Sequence, residues 1–255
     1  MTYRELLNEY KNICLKKNLE FEAVKYLIQE LIYLDSATFL LKHNEEIEDH
    51  VLTIITDAVN KYINELIPVQ YILGYTYFYG LKFNVNNNVL IPRSETEELV
   101  EHVINYAKII FGNKPINICD IGTGSGAIAI SVKKETNAIV TAIDVSKDAL
   151  DIAKENAKIN NADIEFIESD LFNGVIGKKF DIIVSNPPYI RTAVIEKLKE
   201  EVKFHDPFLA LDGKEDGLYF YRKIINESVN YLNNGAMILF EIGHDQGEDV
   251  SELLK

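Results

Sequence analysis

Apolar residues in the early part of the chain recur at helical spacing. Leu6, Leu7, Tyr10, Ile13 and Cys14 share one face, and Val24, Leu27, Ile28, Leu31 and Ile32 share another. Ser36 suits the N-cap of a short third helix over Ala37–Lys42. A fourth helix is predicted from about Glu45 to Leu66, with Val51, Ile55, Val59, Tyr62 and Ile63 on one side and Pro68 as its stop. No strand pattern interrupts this stretch, so residues 1–73 are expected to form a small helical bundle, either a docking surface for a partner or plain scaffold.

The texture changes at Gly74. Tyr75, Tyr77, Phe78, Tyr79, Leu81, Phe83 and Val85 alternate loosely, Asn86-Asn87-Asn88 offers a turn, and Val89-Leu90-Ile91 returns. This reads as a β-hairpin linker over residues 74–92. Ser94, with Glu97 three residues on, has the form of a capping box for the next helix. From residue 93 to 255 helices and strands alternate. The predicted strands are Ile116–Ile121, Ala138–Asp144, Ile164–Glu168, Phe180–Ser185 and Ala236–Ile242. Such alternation predicts an α/β domain with a doubly wound, mostly parallel sheet and right-handed crossovers.

Composition narrows the function classes. A chain of 255 residues with 47% hydrophobic and 26% charged residues is an ordinary globular protein, and no apolar run reaches the length of a membrane span. A cytoplasmic location is expected. Cys14 and Cys119 lie far apart, and His43, His50, His102, His205 and His244 are scattered, so no metal site is expected. The net charge of −14 disfavours nucleic acid as a substrate, since phosphate contacts dominate that affinity.

The chemistry is concentrated after two strands. Ser185-Asn186-Pro187-Pro188-Tyr189 follows the apolar run Phe180–Val184. Two prolines fix two φ angles and hold Asn186 in a stiff, non-helical turn, unless the segment is only a loop leaving a strand. The Asn186 side-chain oxygen and the Pro187 carbonyl are two acceptors suited to the two hydrogens of a substrate –NH2, and Tyr189 adds a flat face. The second site is Asp120-Ile121-Gly122-Thr123-Gly124-Ser125-Gly126-Ala127, a glycine-rich strand-to-helix connection. By pattern alone it also fits a dinucleotide fingerprint. Asp144, ending the next strand, would bind a ribose diol in either case. S-adenosylmethionine is favoured over a nicotinamide by Asp120, placed to face an ammonium group, by Asp170-Leu171 beside an adenine edge, and above all by the Asn186 turn.

These residues resemble those of the glutamine-N5-methyltransferases of peptide-chain release factors, the PrmC/HemK family. The resemblance runs through Gly80, Leu90-Ile91-Pro92-Arg93 with Glu95-Thr96-Glu97, the 120–126 loop, Asp144, Asn186-Pro187-Pro188-Tyr189-Ile190 and Asp216-Gly217-Leu218. Ser94 and Tyr77 depart from the family's usual proline and acidic residue, and further C-terminal strands are expected for the family. The resemblance implies a Rossmann-like class I methyltransferase sheet. It also implies methyl transfer from S-adenosylmethionine, leaving S-adenosylhomocysteine, to the glutamine of a Gly-Gly-Gln motif in release factors. Asn186, Pro187 and Tyr189 would be catalytic, with Pro188 and Arg93 also touching substrate. Asp120, Gly122, Thr123, Gly124, Ser125, Gly126, Asp144, Asp170, Leu171 and Asn186 would hold the donor. An adenine-N6 or guanine-N2 methyltransferase is the competing reading of the same turn. Glu241-Ile242-Gly243 either borders the substrate mouth or simply ends a strand.

Overall fold

Thr2 starts the first helix with a capping box: its hydroxyl accepts from Glu5 N at 3.3 Å and Glu5 Oε2 accepts from Thr2 N at 2.8 Å. The computed structural model describes residues 1–112 and 114–255, in two compact units, Met1–Gly74 and Tyr75–Lys255. The first unit holds α1 (Tyr3–Lys17), α2 (Phe21–Leu31), α3 (Ser36–Leu41), α4 (Asp49–Glu65) and α5 (Val69–Leu73). Leu6, Tyr10 and Cys14 of α1 bury against Leu27 and Ile28 of α2 and Ile55 and Val59 of α4. Asp35, not Ser36, caps α3, its Oδ1 accepting from Ala37 N and Thr38 N at 2.9 Å each. A carboxylate there also meets the positive end of the helix. α4 begins later than the periodicity suggests, because Lys42–Asn44 close a 3-10 turn and Glu46 bridges to Thr2.

The second unit opens with the hairpin, but its turn lies elsewhere than the asparagine run. β1 (Tyr75–Phe78) and β2 (Leu81–Asn84) pair antiparallel, Phe78 opposite Leu81, so the loop is Tyr79-Gly80. Both residues have positive φ, 50° and 71°, the pair of conformations that matches the twist of two-residue hairpins. Asn86 closes only a local turn, its Oδ1 accepting from Asn88 N at 2.9 Å, and Val89–Ile91 form no strand. Nor is the hairpin a bare connector. Phe78 and Phe83 sit in the core of this unit, and the buried Asn156 exchanges two hydrogen bonds with the Asn84 backbone, at 2.7 and 3.0 Å.

Five strands follow: β3 (Asn117–Ile121), β4 (Ile139–Asp144), β5 (Glu165–Glu168), β6 (Phe180–Ser185) and β7 (Leu232–Phe240). They form one parallel sheet in the order β5-β4-β3-β6-β7. Helices α6 (Glu95–Tyr106), α7 (Ala127–Glu135), α8 (Lys147–Ile159), α9 (Thr192–Ile195), α10 (Glu200–His205), α11 (Phe208–Leu211), α12 (Tyr219–Ser228) and α13 (Gly247–Leu253) complete the unit. Successive strand residues enter opposite cores. Ile118, Ile182 and Val184 pack on one side of the sheet, and Cys119, Ile121 and Ile183 on the other. Both faces are covered, as a parallel sheet requires.

The capping box expected at Ser94 does not form. Ser94 is itself helical, at φ −58° and ψ −34°, so its side chain cannot reach back to the first turn. Glu97 instead accepts from Tyr79 N at 2.6 Å and fixes the hairpin turn. α6 passes at its end into a π turn over Ala107–Phe111. Most important for function is the strand order, which reverses at β3, flanked by β4 and β6. Ligands of open α/β sheets bind at the carboxyl ends of strands at such a reversal.

Candidate active site

At the carboxyl end of β3 the chain turns through Gly122, Gly124 and Gly126, all with positive φ (71°, 55° and 83°). Gly122 N and Thr123 N both donate to Ile143 O, at 2.9 and 3.0 Å, and Gly124 N donates to Asp144 Oδ2 at 2.9 Å. The loop is therefore pinned to β4 before any ligand arrives. A Cβ on Gly126 would lie 2.9 Å from Ile130 Cδ1 and 3.2 Å from Ala153 Cβ, so that glycine lets α7 and α8 pack closely. At Gly122 and Gly124 an added Cβ meets no protein atom within 4 Å, leaving open space beside the backbone.

Asp120 supports this loop from below. Fully buried, it accepts through Oδ2 from Thr123 Oγ1 at 2.6 Å and from Ala129 N, in the first turn of α7, at 3.2 Å. Its Oδ1 is buried with no partner among the described residues. Burial pushes this carboxyl up to about 7, against the pull of those two hydrogen bonds. Asp144 ends β4 with Oδ2 on Gly124 N and Oδ1 on Ser146 N, each at 2.9 Å. Each oxygen keeps further lone-pair capacity. Burial raises its carboxyl as well.

The Asn186 turn leaves β6 next door. Ser185, fully buried, donates from Oγ to Ile121 O at 2.7 Å and ties the two strand ends together. Asn186 Nδ2 donates to Thr96 Oγ1 at 3.3 Å, and Thr96 Oγ1 donates to Glu241 Oε2 at 2.6 Å. Neither Asn186 Oδ1 nor the Pro187 carbonyl meets a donor among the described residues. The back of the turn is clamped. Gln246 Nε2 donates to Tyr189 O at 3.1 Å and Gly217 O at 3.2 Å, while Ile190 N donates to Leu211 O and Gly213 N to Ile190 O. The approach is close enough to demand glycine: a Cβ on Gly213 would lie 2.8 Å from Tyr189 C, and one on Gly217 2.5 Å from Tyr189 O. The Asp216-Gly217-Leu218 motif thus serves the Pro-Pro turn, with Asp216 held down to about 2 by its two hydrogen bonds to Arg222.

These two strand ends share a cavity of about 410 Å³. Gly122, Thr123, Gly124, Ser125, Asp144, Asp170, Leu171, Asn186, Pro187, Pro188 and Arg93 all line it. Asp120, Gly126 and Tyr189 do not. Asp120 supports the loop from beneath through Oδ2, with Oδ1 unpartnered among the described residues, and Gly126 serves helix packing. Tyr189 is half-buried; burial raises its hydroxyl, and the charges of Glu241, Arg93 and Glu95 bear on it. Arg93 is paired with the buried Asp206 at 2.6 Å, so its guanidinium is partly engaged. Sequence reasoning missed Thr96, Gln246 and Asp206; each acts through a partner remote in the chain.

The cavity fits a nucleoside-bearing amino acid such as S-adenosylmethionine. Glycine backbone stands beside open space, a carboxylate on the wall can accept from ribose hydroxyls, and an apolar shelf at Val145 and Leu171 suits a purine. Among the described residues no cluster of three or more His, Cys, Asp or Glu could hold a metal ion, and no helix is long and apolar enough to cross a membrane.

The model of the methyltransferase small domain family matches residues 98–203. The release factor glutamine methyltransferase of Bacillus cereus is 41% identical over 236 residues, covering 91% of this chain and 83% of that protein. Its counterpart in Streptococcus pneumoniae is 36% identical over 256 residues, covering 100% of this chain and 90% of that protein. Among solved structures, the hMettl16 catalytic domain in complex with MAT2A 3′UTR hairpin 6 covers 81% of this chain and 73% of that one, at TM-score 0.53. At 17% identity it shares the fold alone. With 36–41% identity sustained along most of both relatives, this chain belongs to the release factor glutamine methyltransferase family.

Proposed function

We propose that this chain methylates the side-chain amide nitrogen of the glutamine in the Gly-Gly-Gln motif of peptide-chain release factors, using S-adenosylmethionine, in the cytoplasm. One observation carries the reading. Asn186 Oδ1 and the Pro187 carbonyl meet no donor among the described residues, and both residues form the wall of the cavity that the glycine loop also lines. A primary amide brings two hydrogens to two waiting acceptors.

The donor supplies an electrophilic methyl group on a sulfonium. Gly122, Gly124 and Ser125 would hold its amino-acid portion, Asp144 its ribose hydroxyls, and Asp170 with Leu171 its base. The remaining work belongs to the chain. An amide nitrogen is a poor nucleophile because its lone pair is delocalised into the carbonyl. Accepting both of its hydrogens fixes the nitrogen in place and raises its electron density; fixed alignment of reactants is worth about 7–11 kcal/mol at best. No side-chain base is required, since the methylated nitrogen is strongly acidic and its surplus proton passes from the acceptor oxygens to water. Tyr189 and Arg93 would border the incoming glutamine, and Pro188 keeps the turn stiff.

The net charge of −14 speaks against the adenine or guanine reading, because a duplex or single strand would be repelled over a Debye length. The test is incubation with isotopically labelled S-adenosylmethionine and a purified release factor, with the label located by mass spectrometry. Label on the glutamine of Gly-Gly-Gln, lost in Asn186→Ala, is the expected result. Label on a nucleic acid, or on another side chain, would overturn the reading.

A further inference from the structure

An asparagine amide presents an acceptor at one end and donors at the other, and the proposed chemistry works with only one orientation. If Asn186 turned its –NH2 to the cavity, it would oppose donors with donors. Something must choose, and the turn's own backbone does not. We infer that Thr96 and Glu241 are positioning residues that fix the Asn186 amide with its oxygen as the acceptor offered to substrate, an inference that rests on the methyl-transfer reading.

The direction follows from donor and acceptor rules. An ionised Glu241 can only accept, so it takes the single hydroxyl hydrogen of Thr96 at 2.6 Å. The Thr96 oxygen can then only accept from Asn186, at 3.3 Å, which assigns Nδ2 to that side. Three residues from α6, β6's exit and β7's exit thereby form one polarised chain, with Thr96 4% exposed and Glu241 half-buried. Tyr221 Oη donates to the Glu241 carbonyl at 2.8 Å and holds the far end in place. Protonating Glu241 makes it a donor, which lets the hydroxyl reverse and turn the amide over. The charged and titratable groups facing Glu241 are Glu95 and Arg93 from the start of α6, Tyr189 from the turn and Tyr221 from α12. Burial, and then the charge of Glu95, raise the Glu241 carboxyl, partly offset by Thr96, Asn186 and Arg93.

The test combines kinetics with side-chain amide NMR of the ligand-free protein. Thr96→Val keeps the shape and removes the hydroxyl; it is expected to lower kcat by about tenfold or more while the KM for S-adenosylmethionine moves less than about twofold, and Thr96→Ser is expected to restore most of the rate. In the wild type, the Asn186 Nδ2 proton signals are expected to titrate together with Glu241, and in Glu241→Gln to be independent of pH over that range. Wild-type kcat in Thr96→Val, or Asn186 signals that ignore both pH and Glu241→Gln, would overturn the inference. Failure of the underlying reading shows separately, as absence of methyl transfer by the wild type, while the NMR titration still decides whether the relay exists.

Discussion

The two loops that meet at the reversal of the sheet leave neighbouring parallel strands, yet they are built oppositely. After β3 the chain runs through glycines and is held by backbone donors, with Gly122, Thr123 and Gly124 all tied to the end of β4. After β6 it runs through prolines, which have no donors, and is held from behind by Gln246 and by the Gly213–Gly217 segment. The first loop commits the N–H groups of Gly122, Thr123, Gly124 and Gly126 internally and presents open space beside bare backbone. The second presents carbonyl and amide oxygens that meet no donor among the described residues. One fold therefore yields a cradle and a grip side by side, and the difference lies in which backbone groups each sequence leaves unpaired.

If this contrast is right, damage to the grip stops turnover and damage to the cradle weakens donor binding. The largest effect is expected for Asn186→Ala, a loss in kcat on the order of 10²–10³-fold, comparable with removing one preorganised partner of a transition state, with little change in donor affinity. Equal losses in both quantities would reduce the residue to scaffold. Next is Gly217→Ala. Positive φ and a 2.5 Å approach to Tyr189 O predict destabilisation by about 2–3 kcal/mol, read by denaturant unfolding, together with loss of turnover. Gly124→Ala sharpens the comparison from the other side. With no protein atom within 4 Å of the new methyl, the fold loses only about 1 kcal/mol. Calorimetric affinity for S-adenosylmethionine is expected to fall by about tenfold, or 1.4 kcal/mol.

The smallest effect is a pH dependence. The folded Asp120 carboxyl keeps its proton up to about 7, whereas the ordinary value is 3.8, so the folded chain binds more protons through that window. Its contribution to stability is complete below the ordinary carboxylate value and declines as pH rises towards 7. Melting temperatures from pH 4 to pH 8 are expected to fall more steeply in the wild type than in Asp120→Asn. Parallel slopes would show that Asp120 ionises freely in the folded chain.

Local chemistry made much of this legible. The strand ends carrying Gly122–Gly126 and Asn186–Tyr189 announce themselves because glycine and proline act through the chain's own dihedral angles. The hairpin turn was less readable: Asn86–Asn88 is the stronger local signal, but Tyr79 takes a positive φ under the pull of Glu97, eighteen residues away (|i−j| = 18). Glu97 in turn was unavailable to cap α6. Asp120 reads as a ligand contact in sequence; that it also braces the loop through Thr123 and Ala129 is invisible there, since spacing does not reveal that the residue is fully buried. Thr96 and Gln246 have partners 145 and 57 positions away, separations no local pattern encodes.

The most direct measurement is a crystal structure with S-adenosylhomocysteine and a Gly-Gly-Gln peptide bound. The glutamine amide nitrogen is expected within about 3.2 Å of both Asn186 Oδ1 and the Pro187 carbonyl, the range of a true hydrogen bond. A nitrogen held by other groups, with those two oxygens facing only solvent, would contradict it.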